Sequence, residues 1–345
     1  LLILRINVLL RGNSGIRITI IESMVDALNK NCISFIPEKG SVGASGDLAP
    51  LSHLALGLLG EGKMWNPIEE EFQLASYVLE KNGLKPISLS AKEGLSLING
   101  TQFICAYGIE ALQRAKLLAK QADAIGALTL ETLLGTRRAF DPRIHRARPH
   151  GGQQLVAWRL RNLLVDSESG ETSSLNQSHL SCGRVQDSYT LRCMPQVHGI
   201  VNDTIEFVNG ILTTEINSST DNPMVFYDDE ISEEENLNSF YSRIVSGGNF
   251  HGEYPGKTLD YLAIGVHELA NISERRTARL IDHTCNEGLP AFLVRDGGLN
   301  SGFMLVHCTA AALTSENKVL VHPASSDTIP TSANKEDHVS MSEYS

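Results

Sequence analysis

The sequence predicts a mainly α-helical chain on three observations. Aromatic residues make up only 6% while glycine reaches 29 residues, a composition suited to close helix packing rather than to β-sandwich cores. Several long stretches repeat apolar residues at helical spacing. Stretches that alternate with a period of two are few.

Taken along the chain, Ile20, Met24, Val25 and Leu28 form a short amphipathic run. A glycine-rich segment, Gly40-Ser-Val-Gly43-Ala44-Ser45-Gly46, leads into a helix with apolar positions Leu48, Leu51, Leu54, Ala55, Leu58 and Leu59. Asp47 is the expected N-cap there, and Pro50 is tolerated in the first turn because its missing N–H would be unpaired in any case. Asn66–Glu71 reads as a short acidic loop, and Pro86–Leu89 as part of a short strand. Thr101 to Leu134 contains no proline and gives the longest helix. The polar stretch Asp166–Gln177 and the run Asp228–Glu235, with six acids in eight positions, read as surface loops. Lys257 to Ile281, entered through Pro255-Gly256, and Ser301 to Leu320 complete the helices.

A chain of 345 residues suggests about two domains. No repeat and no linker with a composition shift divides it, so the expectation is one helical unit over 1–345. With 42% hydrophobic and 20% charged residues, an intrinsically disordered chain is excluded. The balance of 29 Lys+Arg against 40 Asp+Glu leaves a charge of −11, which opposes general binding to nucleic acid or to an anionic membrane but not a local pocket for a small anion. There is no run of 18 uncharged apolar residues and no signal-peptide pattern. The six cysteines include no C-x-x-C pair, which favours free thiols in a reducing, cytoplasmic setting. The chain starts at Leu1, within an apolar segment, and is expected to be a piece of a longer subunit.

Several common chemistries lack support. Asp47 stands where G-x-S-x-G needs its last glycine, and neither a P-loop nor a dinucleotide fingerprint is present. His267-Glu268 has no second histidine four positions on, so metal-dependent hydrolysis is not indicated. Taken alone, Ala44-Ser45-Gly46 is a glycine-rich turn before a helix. A sharper possibility is backbone cyclisation, with the Gly46 nitrogen attacking the Ala44 carbonyl and loss of two waters turning Ser45 into a dehydroalanine within an imidazolone ring. The helix dipole behind it would stabilise negative charge arriving on that electrophile.

Gln186, Tyr189 and Arg192 would fall within about 120° of one helix face at 100° per residue. That face presents an amide, a phenol and a guanidinium suited to bidentate capture of a carboxylate, although solvated polar stripes on helices are common. The same helix is expected to run on through Pro195 with a kink. Asn99-Gly100-Thr101 reads as a turn and cap before the longest helix. Ser246–Glu253 is a glycine-dense loop carrying Phe250 and His251, and Glu336 and Asp337 with His338 read either as a buried acid cluster or as an exposed tail, between which spacing does not decide.

Together, GSVGASGDLAPLSHLALGLLGEG, INGTQ, VQDSYTLRCMPQVHG, SSTDNPMVF, SGGNFHGEYPGKTLDYLA and KEDHVSM resemble the aromatic amino acid ammonia-lyases, most closely their eukaryotic histidine-specific branch. The resemblance runs in order over nearly the whole chain. It implies a long-helix bundle and a 4-methylidene-imidazol-5-one (MIO) electrophile formed autocatalytically from Ala44, Ser45 and Gly46. It also implies Asn99 beside that group, Gln186 and Tyr189 lining the pocket, Arg192 on the substrate carboxylate, and Phe250 packed close by. Glu336 matches the carboxylate that faces the substrate imidazole, where phenylalanine and tyrosine lyases usually have an amide. The implied reaction is non-oxidative elimination of ammonia from L-histidine to give trans-urocanate, in a homotetramer, without metal or nucleotide. The alternatives are a phenylalanine or tyrosine lyase, an MIO aminomutase, or an inactive lyase-derived subunit. Family members also carry, ahead of the position of Leu1, a mobile loop with a catalytic tyrosine and a substrate-contacting histidine, so activity is expected to need that region. Lys335 stands where many relatives have a neutral residue and adds a cation beside Glu336.

Overall fold

The computed structural model describes residues 1–41, 43, 48–165, 184–227, 243–329 and 335–340. The expected loops 166–177 and 228–235 and the Asp47 cap lie outside them, as do Ala44, Ser45 and Gly46. The described chain is mainly helical, and its residues pack as two units.

The first unit comprises residues 1–110, 210–259 and 323–345. Helix α1 (Leu2–Leu10) and α2 (Ile18–Asn29) are amphipathic and bury Leu2, Ile6, Leu9, Ile20, Ile21 and Met24 in one core with Leu54, Leu58, Val78 and Leu97. Each fully buried aliphatic side chain of this kind contributes about 1.5–3 kcal/mol. Helix α3 (Ala49–Leu58) has Leu48 at its N-cap and Pro50 in the first turn, so its observed start lies one residue beyond a helix capped by Asp47.

A small antiparallel sheet joins β1 (Ile33–Ser34), β2 (Lys63–Asn66) and β3 (Glu71–Leu74), with Ile33 opposite Trp65 and Lys63 opposite Leu74. The expected acidic loop is the connection of its β2–β3 hairpin. Pro86–Leu89, in contrast, is not a strand. Its Ile87 N–H goes to the carbonyl of Leu58, a single tie rather than a ladder. Helices α4 (Ala75–Lys81) and α5 (Glu93–Ile98) follow.

The longest helix, α6 (Gln102–Thr132), matches the proline-free stretch. Its apolar positions do not all serve a core: Leu112 and Leu130 are buried, whereas Leu117, Leu118, Ile125 and Leu128 are exposed.

The second unit comprises residues 111–209 and 260–322. After a 3₁₀ turn (Arg137–Phe140), α7 (Pro142–Ala147) starts at Asp141, whose carboxylate caps the Arg143 N–H at 2.8 Å. Helix α8 (Gly151–Leu163) is followed after residue 183 by α9 (Tyr189–Arg192) and α10 (Met194–Ile216). Leu130, Leu133, Phe140, Val156, Leu160 and Met194 form the core of this unit. Gly152 and Gly199 let α8 and α10 touch backbone to backbone, since a Cβ on Gly152 would lie 2.0 Å from the Gly199 carbonyl oxygen. The strand pair β4 (Met224–Val225) and β5 (Ile244–Val245) belongs to the first unit, and α11 (Glu253–Ile281) and α12 (Met304–Leu320) follow in sequence. Helix α11 starts at Glu253, ahead of the expected Lys257, with Pro255 in its first turn, where it needs no donor.

Candidate functional site

The sequence-selected residues divide between the two units. In the first unit, Asn99 is the C-cap of α5, with extended backbone, and stands just ahead of α6. It is buried, and its side-chain Nδ2 donates to the Asn222 carbonyl at 3.3 Å. The Asn222 side-chain oxygen in turn accepts the Gly247 N–H at 2.7 Å, which ties Asn99 to the glycine-rich loop carrying Phe250. Phe250 is half-buried.

The same loop is clasped to the segment around Glu336. His251 Nε2–H donates to the His338 carbonyl at 2.9 Å, and the Gly252 N–H donates to Ser340 Oγ at 3.0 Å. Val339, 1% exposed, anchors that segment. Glu336 itself is exposed. Thus Asn99, Phe250 and the strand of chain bearing Glu336 belong to one hydrogen-bonded assembly.

In the second unit, Tyr189 and Arg192 share the single turn of α9, with the guanidinium carbon 4.7 Å from the tyrosine ring centroid. Tyr189 is exposed and Arg192 half-buried, with an Nε that has no hydrogen-bond partner among the described residues. Gln186 does not share their helix. Ser188 is extended at ψ 157°, and the Asp187 carboxylate accepts the Thr136 N–H at 2.8 Å, so the chain at 186–188 is drawn out of helical conformation. Nor does one kinked helix run through Pro195. Cys193 ends α9, α10 begins at Met194, and Pro195 occupies its first turn.

Two buried polar clusters escaped the reading of the sequence. In the second unit, His198 Nδ1 contacts Asp123 Oδ1 at 2.8 Å, Arg159 reaches the other Asp123 oxygen at 3.1 Å, and Arg276 Nη1 reaches the Thr190 carbonyl at 3.4 Å. Burial, opposed by the bond to Asp123, lowers the His198 pKa, so the imidazole is neutral and donates through Nδ1. Burial likewise draws the Arg276 guanidinium down to about 10. In the first unit, Arg5 is wholly buried beside Asn99, and Asp221, also buried, is paired with Lys92 at 2.8 Å. A signal for Arg5 was present: it stands on the same face of α1 as Leu2, Ile6 and Leu9, a core-facing position for the one cation of that helix.

No helix among the described residues is long and apolar enough to cross a membrane. The five described cysteines, Cys32, Cys105, Cys193, Cys285 and Cys308, are free thiols.

The aromatic amino acid lyase family matches this helical chain over residues 1–345, so the chain belongs to it. Among individual relatives, it is 61% identical over 341 residues to the histidine ammonia-lyase of Mus musculus, covering 99% of this chain and 50% of that protein. The crystal structure of histidine ammonia-lyase from Trypanosoma cruzi superposes with a TM-score of 0.86 at 54% identity, over 99% of this chain and 61% of that one. A tyrosine aminomutase from Streptomyces globisporus superposes with a TM-score of 0.85 at 35% identity, over 99% and 64%. The chain spans about half the length of the mammalian relative it matches.

Proposed function

We propose that the protein is a histidine ammonia-lyase, eliminating ammonia from L-histidine to give trans-urocanate, with residues 1–345 acting as one catalytic region. The observation that carries this reading is the gradient of identity among superposed structures, 54% to a histidine ammonia-lyase against 35% to a tyrosine aminomutase, each over 99% of the chain. Glu336 supports it, since a carboxylate rather than an amide is suited to an imidazole substrate.

The electrophile belongs to Ala44, Ser45 and Gly46. The residues that the family resemblance assigns to an MIO group fit it chemically: Asn99 offers a buried amide with both a donor and an acceptor, and Phe250 offers a half-buried apolar ring. Gly43, at φ +117°, and Gly40, at φ +114°, supply the backbone freedom a cyclising turn requires. Once formed, the group supplies an electrophile that activates the substrate for loss of ammonia.

The chain's own residues hold and orient the substrate. Arg192 takes its carboxylate through the guanidinium fork, and stacking on Tyr189 limits the rotamers of that fork. The family resemblance assigns Tyr189 and Gln186 to a pocket lining, Asn99 to the prosthetic group or the substrate amine, and Glu336 to the substrate imidazole. Neither a metal nor a nucleotide is required.

Self-association, as a homotetramer, belongs to the same reading. Helix α12 buries none of its residues within the chain: Leu305, Leu313, Val319 and Leu320 are 66%, 55%, 73% and 69% exposed. Leu117 and Leu128 on α6 are exposed likewise. A cytoplasmic location agrees with the free thiols.

The test is a substrate panel with the purified full-length protein. L-histidine is expected to give urocanate, followed by its ultraviolet absorbance, well ahead of L-phenylalanine and L-tyrosine. Cinnamate, coumarate or a β-amino acid as the main product would overturn the assignment. Intact mass and peptide mapping are expected to place a loss of two waters at residues 44–46. An unmodified Ser45 in active protein would remove the proposed electrophile.

A further inference from the structure

We propose that Arg5 is a positioning residue for Asn99, holding the turn between α5 and α6 so that the Asn99 amide keeps its orientation; this rests on the lyase reading of the site. Arg5 is 0% exposed. Its Nη1 donates to the Asn99 carbonyl at 2.7 Å and to Gln102 Oε1 at 2.6 Å, and its Nη2 donates to the Ser96 carbonyl. One planar fork therefore spans the last turn of α5, the Asn99 cap and the first residue of α6.

The two carbonyls are groups the helix break leaves unpaired. Ser96 and Asn99 have no continuing helix to supply donors to their carbonyls, and a cation at a helix C-terminus is favoured by the dipole. Burying a guanidinium is costly, and its pKa falls to about 10 through desolvation, with Asp221 opposing the fall. Its Nε has no partner among the described residues. An apolar side chain would fill the same space without that cost but could not hold two carbonyls and an amide in one plane.

The opposite side of Asn99 is equally constrained. Lys92 pairs with Asp221, the Asp221 carboxylate accepts the Asn222 N–H at 2.7 Å, and the Asn222 carbonyl accepts from the Asn99 amide. Gln102 Nε2 closes the circuit on Thr220 Oγ1 at 2.5 Å. Between them Gly100 has no room to adjust: a Cβ there would lie 2.4 Å from the Thr220 carbonyl oxygen and 2.8 Å from Arg5 Nη1. Asn99 is thereby seated from the backbone side by Arg5 and from the amide side by Asn222.

A plain helix cap and a positioning residue differ in one measurable respect. The test compares Arg5→Lys, Asn99→Ala and the double variant of the full-length protein by steady-state kinetics on L-histidine. Lysine keeps the charge and loses the fork. The expected result is a fall in kcat of about tenfold or more with KM within about twofold, and a further loss of less than about twofold when Arg5→Lys is added to Asn99→Ala. Losses that multiply in the double variant would overturn the proposal. If Arg5→Lys does not fold, Gln102→Leu removes one of the same three acceptors, and its effect is expected to disappear likewise in the Asn99→Ala background; persistence there overturns it. Hydrogen exchange gives a readout independent of turnover. In Arg5→Lys, faster exchange confined to residues 96–102 with α2 unchanged supports the proposal, and unaltered exchange at 96–102 overturns it. Wild-type protein inert toward histidine would remove the lyase reading, and the exchange result would still decide whether Arg5 holds the turn.

Discussion

The Arg192 guanidinium lies 4.7 Å from the Tyr189 ring centroid on a helix of four residues, so the cation is braced by a neighbour one turn away. Arg192→Lys keeps the charge and loses both the fork and the flat stacking surface. The expected loss in kcat/KM for L-histidine is about 10- to 100-fold, corresponding to a charge-assisted interaction of about 1.5–3 kcal/mol. Tyr189→Phe retains the stacking face and should affect KM less than Arg192→Lys does. Equal KM values for Arg192→Lys and wild type would remove the carboxylate clamp.

Glu336 separates substrates by charge. Glu336→Gln should lower kcat/KM for histidine about tenfold or more while leaving any activity on phenylalanine unchanged or raised, because the amide no longer favours a protonatable ring. A proportional fall on both substrates would place Glu336 outside the specificity pocket.

Close approach of α8 and α10 makes Gly152 sensitive to a single methyl group. Gly152→Ala forces its Cβ toward the Gly199 carbonyl and should destabilise the protein by about 1–3 kcal/mol, seen as a lowered Tm. Gly210, also on α10, has nothing within 4 Å of its Cβ position, and Gly210→Ala should stabilise by about 0.5–1 kcal/mol. An unchanged Tm for Gly152→Ala would contradict the packing.

Glu93 carries an acid-dependent part of the stability. Its carboxylate accepts from Arg17 Nε at 2.7 Å and from the Ser90 N–H at 2.6 Å, which holds its pKa down to about 2 against an ordinary 4.5. A depressed acid pKa means that the unfolded chain takes up the proton first. The contribution is therefore complete above about pH 4.5 and disappears as the pH falls toward 2. Urea titrations should show a wider stability gap between wild type and Glu93→Gln at pH 7 than near pH 3. A gap independent of pH would exclude this linkage.

Much of the helical architecture was legible because periodicity reports a buried face. Apolar spacing located α2, α6, α11 and α12 to within a few residues. It could not separate a core-facing stripe from one left exposed, and α12 and the middle of α6 proved to be the latter. The hairpin of β2 and β3 escaped because four-residue strands carry too few alternations, and Trp65 meets Phe72 only once the strands pair. At the candidate site, the family resemblance supplied Asn99, Phe250 and Glu336, and helical spacing singled out Tyr189 and Arg192. It wrongly put Gln186 on the helix of Tyr189, since an Asp187 bond to Thr136 is a long-range contact that local spacing does not contain.

By itself, the sequence determined the helical class, the family and the identity of the chemical groups, all of which reside in residue type and local order. Tertiary structure decided which groups are seated together. Arg5, Asn99 and Asn222 are far apart in the chain, yet one guanidinium and one carbonyl hold the same turn from two sides. The physical reason is that a helix break leaves backbone acceptors unsatisfied, and only folding determines which distant donor meets them.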